Sequence, residues 1–216
     1  MTIKIITVAN RKGGAGKSTC AAHFALEAAL NGSKVILIDL DPQKTLESWW
    51  EKRKEENPYM TDAAAQNLKE KLSSIKEKGF DYCIIDTPGD TSINAVEAIK
   101  LADLVIIPCK PTSPDLKAIG RTISMVQENN KNYIFVLTQT ISKANATMQA
   151  TSVLSEFGSI APAYISNRIA YVNAMSSGGT ACDLDKNAAS EIQKIWEFIM
   201  KKLDVSYTNE PRKAKI

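Results

Sequence analysis

Residues 4–19 read KIITVANRKGGAGKST, and the fold follows from how that stretch divides. Its first residues, up to Val8 and Ala9, are apolar in the manner of a strand buried on both faces of a parallel sheet. A glycine-rich turn follows, and Lys17, Ser18 and Thr19 then open an apolar, alanine-rich helix. Strand, turn and helix in that order make a phosphate-binding loop. Gly13, Gly14 and Gly16 let the backbone approach an anion closely and, with Ala15 between them, gather its N–H groups at the positive end of the helix dipole. In such a loop Lys17 reaches the β- and γ-phosphates of a nucleotide, and the Ser18 hydroxyl ligates Mg²⁺. The spacing departs at one place. G-x-x-x-x-G-K-[ST] wants glycine at position 11, where this chain has Arg11 followed by Lys12.

Two further strands end in carboxylates. The run from Val35 to Asp39 lies between Gly32 and Pro42 and continues as Asp39-Leu40-Asp41-Pro42-Gln43. Ligands of open parallel sheets gather outside the carboxyl ends of strands, so Asp39 and Asp41 are both expected to face the phosphate loop. Phe80 to Gly89 reads FDYCIIDTPG, an apolar run into Asp86 and a tight Pro-Gly turn. A carboxylate there can hold the hydration shell of a magnesium ion opposite Ser18.

The K-G-G-x-G-K-S-T pattern resembles the deviant Walker A loop of the ParA/MinD family of ATPases. Asp39 to Gln43 is similar to that family's switch I, and Ile84 to Gly89 to its Walker B strand and switch II. The resemblance implies ATP and Mg²⁺ held by residues 12–19 and Asp86. It also implies a homodimer closed face to face over two nucleotides, with Lys12 crossing to the partner's phosphates and Asp41 positioning the attacking water. Weak hydrolysis, stimulated by a small centromere-binding or adaptor protein, would time dimerisation and attachment to non-specific duplex DNA. Size and the lack of an N-terminal helix-turn-helix make the chain resemble the small, ParF-like partition ATPases. The family often has an arginine and an aromatic where this chain has Arg168 and Tyr171, so Arg168 is a candidate DNA contact by precedent. A salt bridge at a helix N-terminus is the competing reading. The segment Cys109 to Asp115 lies beside the nucleotide and dimer interface in the family; a stiff surface loop held by its prolines fits equally.

The remaining sequence bounds the class. A chain of 216 residues with 44% hydrophobic and 24% charged residues fits one soluble α/β domain, expected over residues 1–203, with a polar tail over 204–216. Alternating strands and helices give a doubly wound, mainly parallel sheet with helices on both faces. No apolar run approaches the roughly 20 residues a membrane helix needs, and the N-terminus leaves no room for a signal peptide. The four cysteines are scattered, without a C-x-x-C pair, as in a reduced, cytoplasmic protein. An iron–sulfur carrier of related fold would want such a pair, a MinD-like membrane switch a C-terminal amphipathic helix, and a metabolic ligase no Lys12. The charge is +3, and its excess lies wholly after residue 185, including Lys194, Lys201 and Lys202. That segment suits DNA phosphates and nucleoid association, or else a solvated helix face and a loose tail.

Helices are expected over 45–56, 62–78, 145–157 and 186–203, the last with Ile192, Ile195, Trp196, Ile199 and Leu203 on one stripe. Trp49 and Trp50 are adjacent and cannot share one core, so one of them is expected in a groove or interface. His23, the only histidine, reads as packing or surface.

Overall fold

The computed structural model describes residues 3–90, 92–141 and 144–205. Its elements run β1 (Lys4–Val8), α1 (Lys17–Leu30), β2 (Val35–Asp39), α2 (Thr45–Trp50), β3 (Tyr59–Met60), α3 (Leu68–Glu77), β4 (Tyr82–Asp86) and α4 (Ile93–Leu101). They continue with β5 (Leu104–Cys109), α5 (Ser113–Glu128), β6 (Tyr133–Thr140), α6 (Asn145–Ser155), β7 (Ser159–Ile160), β8 (Ile165–Ser166), α7 (Ile169–Ser177), α8 (Ala181–Leu184) and α9 (Lys186–Val205). The sheet order is β3-β2-β4-β1-β5-β6-β7, with β8 on β6, and every described pairing is parallel. After β1 the chain turns toward β2, and after β5 toward β6, so the loops after these neighbouring strands diverge at their carboxyl ends. Ligand sites of doubly wound sheets form at such a switch point.

Alternation along each strand feeds two faces. Ile6, Val8, Val35, Leu37, Ile84, Ile106 and Val136 face α1, α2 and α7–α9. Their neighbours Ile36, Ile38, Cys83 and Ile85 meet α3 and α4, while Val105, Ile107, Phe135 and Leu137 meet α4, α5 and α6. The stripe on α9 is buried throughout, and Trp196 stacks edge-on against Tyr82 at 5.2 Å between ring centroids. The expected 204–216 tail falls largely outside the described residues; α9 itself runs to Val205.

Several boundaries differ from expectation, each for a tertiary reason. The helix expected over 45–56 stops at Trp50. Beyond it, the Arg53 guanidinium donates to the Gly178 and Asn57 carbonyls, and the Asn57 side chain bonds Val35 N–H and the Ser33 carbonyl, which draws the chain to β3. The helix expected from Asp62 begins at Leu68, because Ala64 and Ala65 N–H are taken by the side chains of Asn67 and Asn94. Helix α4 and the two-residue strands β3 and β7 have no counterpart in the sequence expectation. The tryptophan expectation holds for the groove, since Trp49 lines a cavity, but not for the core, which the two share. Trp49 is fully buried and Trp50 partly so, both against the same apolar cluster, with their indole N–H groups donating to the Gly179 and Pro58 carbonyls.

Candidate nucleotide-binding site

The loop between β1 and α1 is built as a cradle. Gly14 (φ +71°) and Gly16 (φ +93°) hold left-handed backbone that a side chain would strain. Gly16 is the N-terminal cap of α1 and offers no side-chain capping bond, so the helix's first N–H groups are open to an anion. The loop is pinned from behind: the Thr138 hydroxyl donates to the Ala15 carbonyl (2.8 Å) and the Gln139 amide to the Gly14 carbonyl (3.1 Å). In front of it lies a cavity of about 570 Å³ lined by Gly13, Gly14, Gly16, Lys17, Ser18 and Thr19, and across from them by Asp41, Gln43, Pro88 and Gly89. Gly89 packs on the loop so closely that a Cβ there would stand 3.4 Å from Lys17 Nζ. The ammonium thus lies against the turn that follows β4.

The carboxylates divide by role. Asp86 at the end of β4 is fully buried, and no hydrogen bond of acceptable geometry reaches either of its oxygens among the described residues. Burial pushes its carboxyl up to about 7; the Asp39 charge adds to the rise, while the nearby Ser18 hydroxyl and Lys17 ammonium oppose it. A buried carboxylate with two orphaned oxygens beside a serine hydroxyl and a lysine fits a hydrated cation. Ser18 and Asp86 would hold magnesium, which would neutralise charge on the phosphates. Asp39 departs from expectation. Its Oδ2 accepts from Leu46 and Glu47 N–H (3.1 and 3.0 Å) and its Oδ1 from Asp41 N–H (2.9 Å), so it faces the start of α2 rather than the cavity. Burial nevertheless raises its pKa, against those bonds. Only Asp41 of this pair lines the cavity; one of its oxygens is fixed by Gln43 N–H at 3.0 Å.

Lys12 points elsewhere. Its ammonium lies 2.8 Å from Asp115 on α5, and it lines neither the phosphate cavity nor the one beside it. The second cavity, about 640 Å³, shares Gly16, Thr19, Gln43, Thr45 and Gln139 with the first, making one continuous trough. Its far walls are Trp49, Tyr171, Val172 and the Ile165–Arg168 stretch. Sequence reading misses much of this part, including Thr138 and Gln139. A signal for it exists, since Thr138 closes the apolar run of the fifth main strand and strand ends of such sheets face the ligand.

The residues singled out for DNA fall apart in space and role. The Arg168 guanidinium is bound to Glu191 (2.7 Å) and Asp185 (3.3 Å), which is the competing reading of that position. Lys194 and Lys201 are exposed on α9, whereas Lys202 donates to the Ser159 hydroxyl (2.8 Å) and lies over the Phe198 ring. Arg212, Lys213 and Lys215 lie outside the described residues. His23 is buried packing, as expected. Ala181 N–H donates to its Nε2 (3.0 Å), so Nδ1 carries the proton and donates to the Thr19 carbonyl (2.8 Å). Burial depresses its pKa to about 4.

A strand-loop-helix cradle, an orphaned acid beside its serine, and a lysine under a switch turn define a phosphate-loop nucleotide-binding protein. The family described as the CobQ/CobB/MinD/ParA nucleotide binding domain matches residues 6–180, and the chain belongs to it. It is a ParA/MinD-type ATPase. Protein IncC of Escherichia coli is 25% identical over 95% of this chain and 71% of its own length. The maintenance of carboxysome distribution protein A of Halothiobacillus neapolitanus is 27% identical over 88% of this chain and 93% of its own. The fold is shared with the ATP complex of a singly substituted Cyanothece McdA, with a TM-score of 0.79, 20% identity, and coverage of 94% of this chain and 97% of that one.

Proposed function

We propose that the chain is an ATP-dependent dimerising ATPase that partitions or positions DNA. The ATP dimer would bind duplex DNA without sequence preference and let go after hydrolysis. The observation that carries this reading is Lys12, which is kept out of its own phosphate cavity at the same end of the sheet. A cation placed there serves a second copy facing the first better than it serves its own nucleotide. The adenosine would lie in the apolar part of the trough against Trp49 and Tyr171, with the triphosphate along residues 13–19. Lys17 would bind the phosphates and Asp41 would orient the attacking water, so catalysis is positioning and electrostatics.

An adaptor or centromere-binding protein that stimulates hydrolysis completes the cycle, placing the protein in the cytoplasm on the nucleoid. No helix among the described residues is long and apolar enough to cross a membrane. A second reading, positioning of a protein assembly, is favoured by the likeness to the carboxysome distribution protein across nearly its whole length. Retention on immobilised duplex DNA tests the first reading. It should appear with ATP, vanish with ADP, and weaken linearly in log K against log salt. An ATP dimer that ignores DNA at low salt would favour the second reading.

A further inference from the structure

The end of β6 carries a residue whose backbone departs from the strand around it. Alternation along β6 sends Ile134 and Val136 to the face of α1, and Phe135 and Leu137 to the face of α5 and α6. A regular strand would send Gln139 the same way as Phe135 and Leu137. Instead Thr138 pairs with Ile165 and Thr140 with Ser166 across a register shift, and Gln139 between them holds φ +51°. Both neighbours are buried and tied: the Thr138 hydroxyl donates to the Ala15 carbonyl, and the Thr140 carbonyl accepts Asn167 N–H (2.8 Å). A left-handed glutamine is unfavourable on its own and persists where its surroundings fix it. Bulges of this kind re-aim a side chain beside a site.

The re-aimed side chain reaches the phosphate loop, where Gln139 Nε2 donates to the Gly14 carbonyl at 3.1 Å. A carbonyl only accepts, so the NH₂ end of the amide belongs on Gly14 and Oε1 is turned off the loop. That oxygen has no hydrogen-bond partner among the described residues. Gln139 is exposed and lines both halves of the trough, the phosphate cavity and the one walled by Trp49 and Tyr171. Residues shared by the two halves mark the joint between triphosphate and base, and in a nucleotide that joint is the ribose. A sugar hydroxyl is a donor, and Oε1 of Gln139 is the side-chain acceptor that β6 offers it.

We propose that Gln139 is a specificity-determining residue that reads the sugar: its NH₂ group holds the phosphate loop while its Oε1 accepts a hydroxyl of the nucleotide's ribose. The inference rests on the placement of the adenosine in the trough proposed above. The strained backbone at 139 serves this double contact, since a single amide then spans loop and nucleoside. The loop itself does not depend on Gln139, because Thr138 still holds Ala15. Removing the amide should therefore cost sugar discrimination more than phosphate binding.

Calorimetry of the full chain with Mg²⁺ and, in turn, ADP, 2′-deoxy-ADP, 3′-deoxy-ADP and pyrophosphate tests it. The parent should bind ADP about fivefold more tightly than at least one of the deoxy forms. Gln139→Gly, whose backbone suits the left-handed position, should bind all three nucleotides alike, and pyrophosphate within about twofold of the parent. Gln139→Met, which keeps the length and removes both polar ends, should do the same. A parent without sugar preference, or a preference that survives in both variants, would overturn the ribose contact. So would an equal loss for nucleotides and pyrophosphate, which would leave Gln139 as a support of the loop. The adenosine placement is checked separately by Val172→Trp, which fills the far wall of the trough and should weaken ADP while sparing pyrophosphate. ADP left unweakened there would overturn that placement, and the inference with it.

Discussion

Two carboxylates at the carboxyl end of the sheet are built in opposite ways. Glu191 on α9 accepts the Ser166 hydroxyl and N–H, two nitrogens of Arg168, and the Tyr171 hydroxyl. Asp86 on β4 accepts none of acceptable geometry. The first is a finished network that ties the Ile165–Arg168 wall of the trough to the last helix. The second is an unfinished one, and a fold tolerates a buried orphan where a ligand completes it. The contrast separates scaffold from site better than residue type does. Arg168 looks functional in a motif and is scaffold in space, while Asp86 resembles any strand-end acid and is the least satisfied group among the described residues.

Changes at Lys17 and Asp41, which line the phosphate cavity, should act on ligand, with little effect on folding. Lys17→Ala should weaken nucleotide binding on the order of 100-fold, measured by calorimetry, because it removes a charge-assisted contact to ground-state phosphates. Asp41→Ala should lower turnover and leave affinity nearly unchanged. Equal losses of binding in both variants would break the division of roles.

The pH dependence sharpens the contrast further. Asp86 titrates near 7 in the folded chain against 3.8 ordinarily, so the unfolded chain ionises first and stability falls as pH rises from about 4 to about 7. His23 works the other way: held near 4 against 6.5, it adds stability that is lost as pH falls through that window. The two slopes partly cancel in the parent. Urea titrations of Asp86→Asn should show higher stability than the parent at pH 8 and a steeper loss, about 3 kcal/mol, between pH 6.5 and 4. The same variant should lose the magnesium dependence of nucleotide binding.

On the finished side the expectation reverses. Glu191→Gln should cost about 2 kcal/mol of stability and leave the magnesium requirement intact, since it strands Arg168 and Tyr171 in a partly buried network. The smallest effect belongs to α9's outer face. Replacing Lys194 and Lys201, two of its exposed lysines, by Gln should flatten the salt slope of DNA binding by roughly 0.9 for each phosphate no longer neutralised, without changing ATPase activity in the absence of DNA.

Sequence carries the site's chemistry further than its geometry. Loop, Lys17, Ser18 and Asp86 are legible because glycine spacing and strand-to-acid runs are local signals. The stripe of α9 is legible because five apolar residues share one helical face. The role of Asp39 is not, since two acids two apart at a strand end look alike until one turns to the next helix. The early stop of α2 depends on Arg53 reaching Gly178, a residue distant in sequence. Nothing local marks the pairing of Lys12 with Asp115, which depends on β1 and β5 lying side by side.

The central claim, a dimer made by nucleotide, is tested most directly by light scattering of Asp41→Ala with and without Mg-ATP. The account predicts twice the mass of the nucleotide-free chain with ATP, a single-chain mass with ADP, and loss of the ATP-induced change on adding Lys12→Gln. A single-chain mass at saturating Mg-ATP, with binding confirmed in the same sample, would contradict it.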